Sequence, residues 1–177
     1  MNLANKITLS RVFLVIPFGI FLLIDNTYFR VLSLVLLVLA SFTDYIDGHL
    51  ARKRNEVSDL GKFLDPLADK LFVLTGFVIF VGLEELAVPS WAVILIIARE
   101  FIINGLRTFA ASRGEIMAAA MVGKVKTVIQ LVAIGLIIII LIYNEFSGKK
   151  LEYIISVLTA GVTVYSGAVY IKRFLSK

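Results

Sequence analysis

The residues best suited to chemistry lie in one stretch, TDYIDGHLARKRNEVSDLGKFLDPLADK, where Asp44 and Asp47 end one apolar run and Asp65 and Asp69 open the next. A carboxylate inside a bilayer costs about 2.5–3.5 kcal/mol on insertion scales, so acidic residues there mark an ion pathway or a reaction centre. Four close carboxylates either raise one another's pKa until some are protonated or gather counter-charge. Two divalent cations would balance them. The set is all oxygen, with a single histidine (His49) and no cysteine in the chain, which suits Mg²⁺ or Mn²⁺ rather than zinc. A metal pair can share phosphate oxygens and stabilise charge on a transferring phosphoryl group. Neighbouring arginines and lysines would then serve as phosphate ligands.

The elements that must position these groups are helices in a membrane. The chain is 59% hydrophobic over 177 residues with a mean hydropathy of +0.94, too apolar for a domain with a wetted surface. Without cysteine there is no disulfide or thiolate metal site. A secretory leader is the weaker reading of the N-terminal run, because Arg11 interrupts it and no small-residue cleavage site follows. Apolar runs near 7–24, 28–50, 59–83, 88–111, 126–143 and 151–172 are each long enough to cross the hydrocarbon layer. Only helices satisfy their backbone over such lengths in lipid, so the expectation is an all-α, six-transmembrane-helix bundle forming a single domain over residues 1–177.

Positive charge sets the orientation. With a cytoplasmic N-terminus, all but Arg30, Lys149 and Lys150 of the 18 Lys and Arg fall on the cytoplasmic side, as do both termini and the aspartates. At 1.5 Å rise per residue, Asp44 and Asp47 lie roughly 12 and 8 Å above Arg52, and Asp65 and Asp69 about 10 and 16 Å from Ser58, a suitable N-cap. These depths overlap. The i,i+3 and i,i+4 spacings keep each pair on one helix face, and the short link makes the two helices antiparallel neighbours, so the pairs are expected to face each other. Gly48 and Gly61 sit one turn from Asp44 and Asp65, where they serve either close helix packing or the approach of a ligand to the backbone. Pro66 is expected to kink the second turn or merely to mark the helix entry.

The pattern Asp44, Asp47, Gly48, Ala51, Arg52, eight residues, Gly61, Asp65, Asp69 resembles, without departure, the signature D-x-x-D-G-x-x-A-R-x(8)-G-x-x-x-D-x-x-x-D of the CDP-alcohol phosphatidyltransferases. The likeness extends over nearly the whole chain. Asn5, Thr8 and Arg11 form an N-x-x-T-x-x-R motif, and AREFIINGLR and GKVKTVIQ are similar to the branch of the family that uses glycerol 3-phosphate as acceptor. His49 stands where a tyrosine is common, outside the specified positions.

The resemblance implies transfer of a phosphatidyl group from CDP-diacylglycerol to sn-glycerol 3-phosphate, giving phosphatidylglycerophosphate and CMP in phospholipid biosynthesis. It implies Asp44, Asp47, Asp65 and Asp69 as ligands of a two-metal Mg²⁺ or Mn²⁺ site, with Asp69 also the general base. Asp47, Gly48, Ala51, Arg52, Gly61, Asn5 and Thr8 are implied at the CDP-diacylglycerol, with Arg52 at the departing CMP. Burial of about 0.8 kcal/mol per acyl methylene keeps that donor in the bilayer, so the site is expected within the membrane. A homodimer in the bacterial cytoplasmic membrane, with its active site facing the cytoplasm, is implied as well.

A phosphorylated acceptor needs fixed cations. Arg99 and Arg107 share nearly one face of helix 4, while Lys124 and Lys126 open helix 5, so these four are the expected glycerol-3-phosphate ligands. Snorkelling toward anionic headgroups is the competing reading of these cations and of Arg11, and Asn5 and Thr8 also fit a simple helix cap. Glu100 is expected to pair with a neighbouring cation. Nucleic acid is excluded as a partner, because the basic residues flank apolar runs rather than line a wetted groove. Two alternatives remain: a different acceptor such as inositol phosphate or serine, and a divalent-cation transporter. The transporter is opposed by nearly charge-free outer halves and by the lack of an internal repeat.

Overall fold

The computed structural model describes residues 3–54, 59–114, 121–143 and 150–176, and within them the side chains of 9–43, 70–114, 121–143 and 150–176. The chain folds into helices α1 (Leu3–Leu23), α2 (Thr27–Arg54), α3 (Asp59–Gly82), α4 (Ser90–Ser112), α5 (Met121–Tyr143) and α6 (Leu151–Leu175). The all-α class and the order of elements match the expectation from apolar runs. Helix ends do not. Helix α1 starts at Leu3, α2 continues to Arg54 and α5 begins at Met121 rather than Lys126. Backbone hydrogen bonding continues wherever residues tolerate it, so a helix outruns the apolar stretch it was recognised by.

Helix α1 packs against both α2 and α3, α4 against α6, and α5 against α6 and α2, while α3 links the halves through α4 and α5. The apolar core sits between the N-terminal half of α4, the C-terminal half of α3 and the middle of α5. There Phe72, Phe77, Phe80, Ile96, Ile134, Ile137 and Ile138 are 0–2% exposed. Phe18 of α1 joins them with its ring 5.2 Å from that of Phe72.

All six helices also carry large apolar side chains on the outside, among them Phe13, Phe42, Val78, Phe101, Val128 and Leu158. Buried polar and charged residues are correspondingly common within. Arg11, Arg30, Glu100, Lys126, Gln130 and Glu152 are each less than 5% exposed. Among the described residues, α5 and α6 are long and apolar enough to cross a membrane, and shorter apolar stretches occupy 9–23, 27–43 and 70–82.

One polar cluster closes the end of the bundle away from the aspartates. Arg30 donates to the Leu141 carbonyl at 3.0 Å, to Asp25 Oδ1 at 2.7 Å and to Glu85 Oε2 at 2.8 Å. It thereby ties the start of α2 to the α1–α2 link, the α3–α4 turn and the last turn of α5.

Candidate functional site

Arg99, Arg107, Lys124 and Lys126, the four cations singled out for an acceptor phosphate, line one cavity of about 390 Å³. Its wall is completed by Lys70 of α3, by Glu100, Ile103 and Asn104 of α4, by Gly123, Thr127 and Gln130 of α5, and by Tyr170 of α6. Among the described residues, five cations thus face a shared space with a single carboxylate. The helices assemble it simply: α4 contributes Arg99, Asn104 and Arg107 over two turns, and α5 brings Gly123, Lys126 and Gln130 at helical spacing.

The cations are held in different ways. Arg99 is 9% exposed, donates to Ser166 Oγ at 2.7 Å and pairs with Glu100 Oε1 at 3.3 Å. Lys126 donates to the same Glu100 oxygen, and the two side chains are 5% and 4% exposed. Glu100 therefore pairs with cations, as its neighbours suggested. Arg107 donates from Nη2 to the Tyr170 hydroxyl at 2.9 Å. Lys70 donates to Asn104 Oδ1, joining α3 to α4 inside the cavity. Lys124 lies exposed at the rim.

Snorkelling does not describe Arg99, Lys126 or Arg11, since each is buried within the bundle rather than extended to its surface. A buried guanidinium or ammonium is retained only with partners. The Nε atoms of Arg99 and Arg107 are buried without a hydrogen-bond acceptor.

The four aspartates lie on α2 and α3, which are helical through residues 44, 47, 65 and 69. Their side chains, with those of Asn5, Thr8, Gly48, Ala51, Arg52, Gly61 and Pro66, lie outside the described residues, as does Ser58 altogether. The expected facing of the two carboxylate pairs and the expected kink at Pro66 fall there too. What the fold does give is register. Asp69 directly precedes Lys70, so α3 runs from the aspartate segment straight into the cavity wall.

Sequence reasoning missed Lys70, Asn104, Thr127, Gln130 and Tyr170. A usable signal existed for the last. Glu152, Ser156, Thr159, Thr163, Ser166 and Tyr170 recur at alternating four- and three-residue steps, so they form one polar stripe along an otherwise apolar α6. Each of them is at most 2% exposed, which shows that the stripe faces inward. Gln130 Nε2 donates to Thr163 Oγ1 at 3.1 Å, securing α5 to that stripe.

The family described as CDP-alcohol phosphatidyltransferase matches residues 1–165. A protein of Bacillus subtilis (strain 168) is 42% identical over 150 residues, 78% of this chain and 77% of its own length. One from Rickettsia felis is 37% identical over 170 residues, covering 93% and 92% of the two chains. One from Salmonella typhimurium is 35% identical over 165 residues, covering 89% and 88%. All three carry the name CDP-diacylglycerol--glycerol-3-phosphate 3-phosphatidyltransferase. With a signature matched at every specified position and relatives aligned along most of their length, the chain belongs to the CDP-alcohol phosphatidyltransferase family.

Proposed function

We infer that the protein transfers the phosphatidyl group of CDP-diacylglycerol to sn-glycerol 3-phosphate, releasing CMP. One structural observation carries the choice of a phosphorylated acceptor, a cavity lined by Lys70, Arg99, Arg107, Lys124 and Lys126 with Glu100 as the one carboxylate among its described residues, and the names of the relatives narrow that to glycerol 3-phosphate. A neutral alcohol gains little from such a lining, whereas a phosphate dianion gains several charge-assisted hydrogen bonds.

In this reading Arg107 and Lys126 hold the acceptor phosphate, with Arg99 behind them and Lys124 at the entrance. Lys126 has three N–H donors and spends one on Glu100. Asp69, the residue before Lys70 on α3, accepts the proton of the acceptor hydroxyl. The freed oxygen attacks the phosphorus that bears diacylglycerol, and the bond from that phosphorus to the CMP oxygen breaks. Arg52 faces the charge that develops on CMP. Asp47, Gly48, Ala51 and Gly61 lie along the nucleotide and pyrophosphate, the small residues leaving the backbone open, and Asn5 and Thr8 of α1 complete the donor site. Holding two reactants in line supplies much of the catalysis in phosphoryl transfer.

The donor set fits divalent metal. Asp44 and Asp47 on the continuous helix α2, and Asp65 and Asp69 on the continuous helix α3, each share a helix face, and all are hard oxygen donors. Two Mg²⁺ or Mn²⁺ ions bound there would neutralise the pyrophosphate and the developing charge.

All six helices cross the membrane in this proposal, as one domain with both termini and the aspartates on the cytoplasmic side of a bacterial inner membrane. Outward apolar side chains on every helix and the bias of Lys and Arg toward one end support it. Homodimerisation rests on the family resemblance.

The test is an assay of purified protein with CDP-diacylglycerol and, separately, glycerol 3-phosphate, inositol phosphate and serine, scoring CMP release. Release dependent on glycerol 3-phosphate is expected. Faster release with inositol phosphate or serine would overturn the choice of acceptor.

A further inference from the structure

We propose that Tyr170 is a positioning residue that sets acceptor specificity: its ring and hydroxyl fix Arg107 and Arg99 as one anion clamp, and Gly123 provides the seat for that ring. The proposal rests on the reading of the cavity as the acceptor-phosphate site.

Tyr170 is 1% exposed and stands at the inward-facing end of the α6 stripe. The guanidinium carbon of Arg107 lies 5.1 Å from its ring centroid and that of Arg99 lies 5.7 Å from the same centroid. Two guanidinium groups converging on one buried ring repel each other in a medium of low dielectric. A second carboxylate would relieve the repulsion, but it would also consume the N–H groups that an incoming phosphate needs. An aromatic face attracts both cations through its quadrupole and leaves those donors available. The hydroxyl then fixes direction, since it accepts from Arg107 Nη2 at 2.9 Å. Both Nε atoms are buried without an acceptor, so the ring and the hydroxyl help hold these planes in place.

The hydroxyl end of the ring is seated against Gly123. A Cβ at position 123 would lie 2.7 Å from the Tyr170 hydroxyl oxygen and 3.1 Å from Cε2, so any larger residue there displaces the ring. Across α6, a Cβ at position 167 would come within 2.9 Å of Arg99 Cγ, so Gly167 admits the stem of the second guanidinium.

The experiment uses the full chain purified in detergent, with Tyr170→Phe, Tyr170→Leu and Gly123→Ala, and measures initial CMP release while either substrate is varied. Tyr170→Leu removes ring and hydroxyl and should raise the KM for glycerol 3-phosphate about tenfold or more, with the KM for CDP-diacylglycerol within about twofold. Tyr170→Phe keeps the cation-attracting ring face and should rescue most of that loss, leaving a rise of about two- to fivefold. Gly123→Ala should resemble Tyr170→Leu while leaving Tyr170 in place, which keeps the test decisive if the leucine variant does not fold. Unchanged glycerol 3-phosphate KM in Tyr170→Phe and Gly123→Ala, or an equal rise in both KM values, overturns the proposal. Wild-type protein that releases no CMP with glycerol 3-phosphate overturns the acceptor reading itself, and the role of Tyr170 falls with it.

Discussion

Lys126 of α5 donates its ammonium to Glu100 Oε1 of α4, and Arg99 reaches the same oxygen at 3.3 Å. One buried carboxylate therefore holds two cations of the cavity wall. Glu100→Gln keeps the shape but strands both charges, and should cost about 3 kcal/mol of stability. Glycerol 3-phosphate would then replace the lost counter-charge. A thermal melt should show a lower Tm for the variant and a larger upward shift on adding glycerol 3-phosphate than in the wild type.

Replacing Arg107 or Lys126 with alanine removes a charge-assisted contact of about 1.5–3 kcal/mol, equivalent to a ten- to hundredfold loss in kcat/KM for glycerol 3-phosphate. Donor affinity should change little. The check is a titration of glycerol 3-phosphate at saturating CDP-diacylglycerol; an unaltered acceptor curve in both variants would return these residues to a structural role.

Asp69→Asn should abolish turnover while CDP-diacylglycerol binding partly survives, because an amide cannot take the acceptor's proton. Asp44→Asn should weaken donor and metal binding together. Near-normal turnover in Asp69→Asn would show that the base lies elsewhere.

Exhaustive chelation should stop CMP release, and Mg²⁺ or Mn²⁺ should restore it, because four carboxylates and a pyrophosphate otherwise repel one another. Full turnover in the chelated enzyme would remove the two-metal proposal.

Arg30→Ala separates stability from catalysis. The side chain is 5% exposed, but its partner Asp25 is 84% exposed and Glu85 36%, so solvent screening lowers the worth of each ion pair. The Leu141 carbonyl also loses its donor. A loss of about 1–3 kcal/mol is expected, with both KM values unchanged, as read by thermal unfolding beside the CMP assay.

The sequence by itself determined the class of the fold, the family and the chemistry. Apolar runs of spanning length allow little but helices, and eight specified positions at fixed spacing from Asp44 to Asp69 identify the family, because the helical period holds each pair of aspartates to one helix face. It also picked out Arg99, Arg107, Lys124 and Lys126, since cations are costly near apolar runs and need a reason to be there.

Only the tertiary structure decided what those cations touch. Arg30 reads as an outer-face charge, yet it is buried, and so is Glu152 in the first turn of α6, where a helix N-terminus favours an acid. Lys70, Asn104 and Tyr170 come from three helices, and no local spacing links them. They meet because α3, α4 and α6 converge on one cavity, and that convergence is fixed by long-range packing at Phe72, Ile96 and Ile134 rather than by any repeat along the chain.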